Sequence, residues 1–495
     1  MPCIFGYDGA APIIPTAQHE GRIRMKILVV GTGFVGLTHA AVCSEFGHQV
    51  YAYDIDQARI AAYQSGDRQR IERYVNEPEL ADVIAENLNR HLFFVSDAEP
   101  ILEGTQVIFL CLPTPPLRSG ATDLSFYLKA AHQLAELLAH RQDQRRVVLV
   151  NKSTVPVGTA RKLQKVLQEH HVSNFGVASN PEFLPEGNAV ERTRKPDRVV
   201  VGADTSEDFT MLRHVYPQFV NHVRIRYIET TPETAEAIKY VSNTLLLTYI
   251  SFWNGVGGRL AETFDNIDMA QLKLGVTADE RISTWGSYVS NGAGGSCFGK
   301  DIQSLAYQLS RRGRSTDLLR SVYQINEFQK SYLIDRAVHE AHFSFNQKTV
   351  ALLGLAFKKH TNDIRDSSAL KVVDGLLALG VKAIRAYDPL ATEEAQHYFD
   401  PARNHLFEKI SYHDSAHAAM EGSDALFIST DWEEFRGISN EIERSCQPPY
   451  LIIDGRRMIS DFAELVARGY TYLAVGSPVL LPHAPPAEPT DDDEE

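Results

Sequence analysis

The sequence predicts an α/β fold of two Rossmann-like doubly wound domains joined by a long central helix. Three observations carry this. A glycine-rich turn stands between two apolar runs near the start. Strand-like and helix-like runs then alternate. A second strand–turn–helix–strand unit begins near residue 348. At 495 residues the chain is also too long for one hydrophobic core.

Residues 25–56 read MKILVVGTGFVGLTHAAVCSEFGHQVYAYDID. Ile27 to Val30 is a buried strand, and an apolar-periodic helix follows, ending near Gly47. Val50 to Tyr53 is a second strand that ends on Asp54. Gly31 makes the tight turn, Gly33 admits a pyrophosphate, and Gly36 lets helix and strand pack. Phe34 and Val35 begin the helix, whose N-terminus faces the phosphates. Asp54 accepts hydrogen bonds from the adenosine ribose hydroxyls, which favours NAD over NADP. Arg59 either reaches the ribose or adenine or is a helix surface residue.

Further strands are expected within 106–116, 147–160, 175–183 and 197–202. Ligands gather at the carboxyl ends of strands in open α/β sheets. That rim holds Thr114, Thr154 and residues 180–187, with Glu182 and Glu186 as candidate site carboxylates. A solvated loop is the commoner place for a glutamate.

Residues 232–264 read as one long helix, apolar over much of its surface and opened by Pro232. Lys239 and Asn243 share one face, either as a site or as a polar stripe. Residues 348–391 form the second α/β unit, with a turn at Gly354 and Asp366 or Ser367 as helix cap. Later strands end on Asp431 and Asp454. This half lacks GxGxxG and offers Lys358, Lys359, Arg365, Arg456 and Arg457 instead, which suits a sugar diphosphate. Between the two units lies NGAGGSCFGKD, 291–301. Its Cys297 is either a nucleophile or a small residue in a tight turn.

The net charge of -14 argues against a nucleic-acid groove. No apolar run reaches the roughly 18 residues of a membrane span. The five cysteines are scattered, which is neither a disulfide framework nor a metal site and fits a reducing cytoplasm. Residues 1–24 lack a signal-peptide pattern and are expected to be a disordered extension, and 481–495 a disordered acidic tail.

In order along the chain stand GTGFVGL, PTP at 113–115, STVPVGT, NPEFLPEG, AEAIKYVSNTLL, GGSCFGKD, GLAFKKHTNDIRDSS, YDP and DGRR. This set resembles the UDP-glucose/GDP-mannose dehydrogenase family from Met25 to about Met458. The resemblance implies an NAD-binding Rossmann domain at 25–225, a central helical dimerisation and catalytic region at 226–335, and a UDP-sugar-binding Rossmann-like domain at 336–480. It also implies a homodimer or higher homo-oligomer. Phe298 after the cysteine is similar to the UDP-glucose branch.

The implied reaction is oxidation of UDP-glucose by two NAD and water to UDP-glucuronate. By resemblance, Cys297 is the nucleophile that forms a thiohemiacetal and then a thioester, and neighbouring cations or dipoles are expected to favour its thiolate. Lys239 stabilises the alkoxide and oxyanion. Asn243 holds the reacting oxygen and a water, and Asp301 orients water or takes protons. Glu182 is the general acid/base of the thioester step, and Thr154 places the water. Thr114, Thr154, Glu186 and Arg365 approach NAD. Phe183, Leu184, Tyr288, Ser290, Gly292, Gly294, Phe357, Lys358 and Arg457 meet the nucleotide sugar, and Arg281 reaches the neighbouring subunit's substrate. Pro185, Ala293 and Gly299 depart from the family pattern, and the last two are expected to loosen the glycine loop. Competing readings are the same chemistry on GDP-mannose or a UDP-N-acetylhexosamine, a one-step hydroxyacid dehydrogenase, and a non-catalytic nucleotide-sugar binder.

Overall fold

A computed structural model describes residues 23–264 and 266–482. The expectations for the terminal extension and tail lie almost wholly outside these residues.

Eight strands form the first sheet: β1 (Lys26–Val30), β2 (Gln49–Tyr53), β3 (Leu92–Val95), β4 (Val107–Leu110), β5 (Val147–Asn151), β6 (Phe175–Ser179), β7 (Arg198–Gly202) and β8 (Arg226–Thr230). Their order is β3-β2-β1-β4-β5-β6-β7-β8. The pairs are parallel except β6 with β7, which meet only at Ser179 and Gly202. Both faces are covered, which is why β1 is apolar from Ile27 to Val30. Ile27 and Val29 enter one hydrophobic core, and Leu28 and Val30 the other.

The second sheet holds β9 (Thr349–Leu353), β10 (Ala383–Tyr387), β11 (Ile410–Tyr412), β12 (Ala425–Ile428), β13 (Leu451–Asp454) and β14 (Thr471–Ala474). It is all parallel, in the order β11-β10-β9-β12-β13-β14. Strand order therefore reverses between β1 and β4 and again between β9 and β12, and crevices open at such points. The expected strand end at Asp431 is corrected, because β12 stops at Ile428. The polar Ser429 and Thr430 leave the ladder to accept from Asn291 and to donate to the Ala356 carbonyl.

The expected single helix over 232–264 is also corrected. An α-helix runs Pro232–Phe252, a π-helical turn follows at Trp253–Gly258, and a short helix closes at Arg259–Thr263. The missing side chains of WNGVGG explain the wide turn. A Cβ on Gly257 would stand 2.7 Å from the Trp253 ring, and one on Gly258 3.2 Å from Val289. The turn carries Asn254 to the loop ahead of Cys297, where it accepts from the Ser290 N–H at 2.8 Å. Helices Phe298–Ser310 and Asp317–His339 complete the middle of the chain. Ser367, not Asp366, caps the helix Ser368–Ala378. Among the described residues, no helix is long and apolar enough to cross a membrane. Nor do they contain a cluster of three or more His, Cys, Asp or Glu suited to a metal ion.

Candidate active site

The turn after β1 has a different reason for each glycine. Gly31 sits at φ +92, and a Cβ there would lie 2.4 Å from the Cys111 carbonyl oxygen. A Cβ on Gly36 would be 1.8 Å from the Gly31 carbonyl oxygen, so this glycine is what seats the helix Phe34–Glu45 on the sheet. At Gly33 a Cβ would meet nothing within 4 Å. No side chain caps this helix, so its first N–H groups remain for an anionic ligand. The open space at Gly33 and the uncapped N-terminus fit a pyrophosphate.

Asp54, at the end of β2, accepts from Thr32 N–H at 2.8 Å, Thr32 hydroxyl at 2.9 Å and Arg59 at 3.1 Å. Burial works to raise its pKa, but these donors and the Asp56 N–H hold it below the usual carboxylate range. Arg59 also stacks 5.3 Å from the Tyr74 ring centre, which keeps its head at the ribose end. Thr114 donates to the Thr154 carbonyl at 3.0 Å, tying the ends of β4 and β5 together.

The second Rossmann-like unit mirrors this arrangement with the ribose position closed. Asp388, one residue beyond β10, takes N–H donors from Leu355, Ala356, Leu390 and Ala391 and from the Trp432 ring. A carboxylate with five donors has no capacity left for ribose hydroxyls. Asn291 reaches into the same region, donating its N–H to the Gly455 carbonyl and its amide to Ser429. This crevice is thus built for a ligand other than a dinucleotide.

Between the two units the catalytic candidates meet. Lys239 Nζ lies 2.9 Å from Glu182 Oε1, both buried. Glu182 Oε2 accepts from the Leu184 N–H at 2.6 Å. Asn243 donates to Asp301 Oδ2 at 2.6 Å, and Lys300 to Asp301 Oδ1 at 2.5 Å. The Phe183 ring lies 3.9 Å from the Arg198 guanidinium carbon and 5.5 Å from Lys239 Nζ. Burial works to raise Glu182, but Lys239, the Leu184 N–H and Lys152 outweigh it and hold the carboxylate ionised. Burial works to lower Lys239, and Glu182, Cys297 and Asp301 reverse it.

Cys297 closes the glycine run and is the N-cap of Phe298–Ser310. The glycines allow a close backbone approach to the second unit. A Cβ on Gly294 would stand 2.6 Å from the Asp366 carbonyl oxygen, and the Gly295 N–H donates to the Arg365 carbonyl at 3.0 Å. Of the described cysteines, Cys297 is exposed and Cys43, Cys111 and Cys446 are buried.

The expectation that its surroundings favour the thiolate is corrected. A path to solvent stays open, yet the surrounding protein desolvates the sulfur. Burial and Glu182 raise the thiol above its ordinary value, and Lys239, Asp301 and Lys300 follow with opposing signs.

The expected loosening by Ala293 and Gly299 is corrected as well. Asn326 grips Ala293 through both its N–H and its carbonyl, at 2.8 and 2.9 Å. Gly299 is buried beneath Asp366. Phe298 packs with Leu247, Ile302 and Val322 in a small apolar cluster.

Around the loop, Ser290 Oγ, Asn291 Oδ1 and Asn254 Nδ2 are buried without protein partners. Such atoms call for a ligand or water. Tyr288 lies near Arg456 and Asp431, and Gly292 packs on Lys330. Lys358 faces Glu186, Glu77 and Asp431. Phe357 packs on Gly295, and Arg456 donates to the Phe357 and Ser429 carbonyls. Arg457 turns instead to the Val475 and Gly476 carbonyls.

Glu186 meets Arg365 at 3.2 Å across the cleft, and burial and Asp363 push its carboxyl well above the usual range. Arg281 is exposed and forks onto Asp279; among the described residues nothing joins it to the cluster. Sequence reasoning missed Lys300, Asn254, Lys330 and Lys152. Only Lys300, beside Asp301 in GKD, carried a local signal.

The NAD binding domain of the UDP-glucose/GDP-mannose dehydrogenase family matches residues 25–220, its central domain 233–328 and its UDP binding domain 351–461. The chain is similar to UDP-glucose 6-dehydrogenase of Pseudomonas aeruginosa, 34% identical over 461 residues, 92% of this chain and 98% of that protein. It is similar to UDP-glucose 6-dehydrogenase TuaD of Bacillus subtilis, 34% identical over 458 residues, covering 92% and 94%. A UDP-glucose dehydrogenase structure from Pyrobaculum islandicum matches with TM-score 0.82 at 29% identity, over 93% of this chain and all of that one (100%). A UDP-D-ManNAc dehydrogenase from Pyrococcus horikoshii matches with TM-score 0.76 at 27% identity, over 91% and 99%. With all three domains present and in order, the chain belongs to the UDP-glucose/GDP-mannose dehydrogenase family of NAD-dependent oxidoreductases.

Proposed function

We propose that this protein oxidises UDP-glucose to UDP-glucuronate through a thioester on Cys297, with hydrolysis by water. The observation that carries this is an accessible cysteine at a helix N-terminus, set among two lysines and two carboxylates. Bound at the Gly31–Gly36 turn, NAD supplies the hydride acceptor for each of the two oxidations.

Lys239 stays cationic beside Glu182 and stabilises the sugar alkoxide, then the oxyanions of later steps. Cys297 adds to the aldehyde carbon as Asp301 takes the thiol proton, forming the C–S bond of a thiohemiacetal. Loss of hydride from that carbon leaves the thioester. Thr154 and Asn243 place a water, Glu182 takes its proton, and the C–S bond breaks with its electron pair on sulfur. A reducing compartment such as the cytoplasm keeps this thiol free.

NADH counted against sugar consumed tests the reading. About two NADH per UDP-glucose are expected, and Cys297→Ser should oxidise sugar without releasing acid at the normal rate. One NADH per sugar, or an unimpaired serine variant, would overturn it. The same assay with GDP-mannose and UDP-N-acetylhexosamines separates the alternative, which the Pyrococcus horikoshii likeness keeps open.

We also propose a homodimer through the central helix. Val241, Leu245, Phe252, Val256 and Leu260 are exposed at helical spacing along its outward face. A second copy covering that stripe would bring Arg281 to the neighbouring site. Leu245→Asp is expected to yield monomers in sedimentation velocity with lost activity, whereas a fully active monomer would contradict this arrangement.

A further inference from the structure

A cavity of about 60 Å³ beside Glu182 is lined by the buried Lys152, Asn180 and Tyr216 at one end and by Thr193 and Asp197 at the more exposed one. A water needs on the order of 15 Å³ of such space and two or more polar partners, so this one has room for a few. Its wall is largely apolar, with one polar cluster at the buried end. Lys152, 8% exposed, donates to Asn180 Oδ1 at 2.8 Å, and Tyr216 OH donates to the same oxygen at 2.7 Å. Asn180 in turn donates to the Val200 carbonyl at 2.7 Å, which fixes the turn that carries Glu182 two residues later. An ammonium has three donors, and only one of Lys152's is met by a protein oxygen. The ammonium also lies 5.9 Å from the Tyr216 ring centre, and the cavity it lines offers room for water to take the remaining donors.

We propose that Lys152 is a positioning residue for Glu182, holding it ionised from behind and lining a hydrated cavity through which Glu182 returns its proton to solvent. The inference rests on the thioester reaction above. In that step water gives one proton to Glu182 and its oxygen to the acyl carbon, and sulfur leaves as thiolate. The second hydrogen leaves with the carboxylic acid. Glu182 must then lose its proton before the next turnover, and a substrate lying against Cys297 closes the front of the site.

The charged and titratable groups on every side agree with this role. In front of Glu182 stand Lys239 and Cys297. Behind it are Lys152, Cys111 and Cys43, and burial pushes both thiols to about 12, so they stay neutral. Burial also holds His39 neutral, well below its ordinary value, with Lys152 adding to the effect. Tyr216 stays protonated for the same reason of burial. Arg192, Asp197 and Arg198 stand at the outer end. Burial works to lower Lys152 and Lys239 adds to it, while the Glu182 carboxylate opposes it. Of the basic side chains that line the cavity, Lys152, Arg192 and Arg198, Lys152 is the buried one.

Two variants of the full-length enzyme test this in the UDP-glucose assay. Removing the cation raises the pKa of Glu182, so Lys152→Met should move the acid limb of kcat upward by about one pH unit. Below that limb, acyl-enzyme on Cys297 should accumulate in intact-protein mass spectra after a normal burst of NADH. A purely structural role would change stability or KM without moving the limb. Thr193→Phe narrows the outer end and should slow turnover several-fold with the burst retained, and it decides the matter if Lys152→Met does not fold. Wild-type pH limbs and no acyl-enzyme in either variant, with two NADH per sugar in the parent, would overturn the proposal and leave the reaction standing. One NADH per sugar in the parent would remove the reaction itself.

Discussion

Lys239→Met is expected to lower kcat by about 10³-fold, the cost of removing a preorganised cation from a developing oxyanion. Lys239 is buried and bonded to Glu182 at 2.9 Å. Its loss therefore does two separable things. The oxyanion loses its partner, and Glu182 is left buried without one. Breaking a buried ion pair from one side costs about 3–5 kcal/mol. The double variant Lys239→Met/Glu182→Gln removes both charges, so it should recover most of the thermal stability and none of the activity. Unfolding midpoints and single-turnover NADH formation read the two effects apart. A single variant with near-normal turnover would show that another group carries the oxyanion.

Gly36→Ala should destabilise the first domain by more than about 4 kcal/mol, a rare size for one methyl group. The added carbon would sit 1.8 Å from a backbone oxygen and 2.9 Å from Cys111 Cβ. Backbone oxygen is not the end of a flexible side chain, so the helix itself must retreat from the sheet. Gly33→Ala meets nothing within 4 Å and should melt like the parent without ligand. Its NAD affinity should nonetheless fall about tenfold or more, roughly 1.4 kcal/mol, because the methyl enters the space assigned to the pyrophosphate. Melting curves and NAD titration of the two variants check the contrast. Equal melting of both would refute the packing role of Gly36, and unchanged NAD affinity in Gly33→Ala would refute the phosphate role of Gly33.

The local devices were legible in the sequence. Strand, turn, helix and acid in 25–56 specify their own geometry, because each residue acts on neighbours close along the chain. Gly31, Gly36 and Asp54 stand where that pattern puts them. Lys239 and Asn243 share a helix face by periodicity alone. Their partners were harder to read. Periodicity offered a polar stripe as an equal reading of Lys239, and burial against Glu182 was decided by a loop 57 residues earlier. Lys152 drew no reading from the sequence, and nothing near it along the chain says it is walled in by His39, Asn180 and Tyr216. Arg456 and Arg457 are adjacent and alike in sequence. Only the turn after β13 decides that the first lies against Phe357 and the second against the end of β14.

The ionisation of Cys297 shows the same division. The residue type and its glycine run are properties of the sequence, since close backbone approach requires glycine wherever it occurs. Whether the sulfur rests as thiol or thiolate depends on which charges converge on it from 182, 239, 300 and 301. Electrostatic balance is a sum over space, so it exists only once the chain has folded. By itself the sequence determined two nucleotide folds, the residues of the turn and the order of the motifs, because those are set by local geometry. The tertiary structure decided which polar side chains are buried, which pair, and which face the cleft, because burial and charge act between residues that are distant in the chain and close in space.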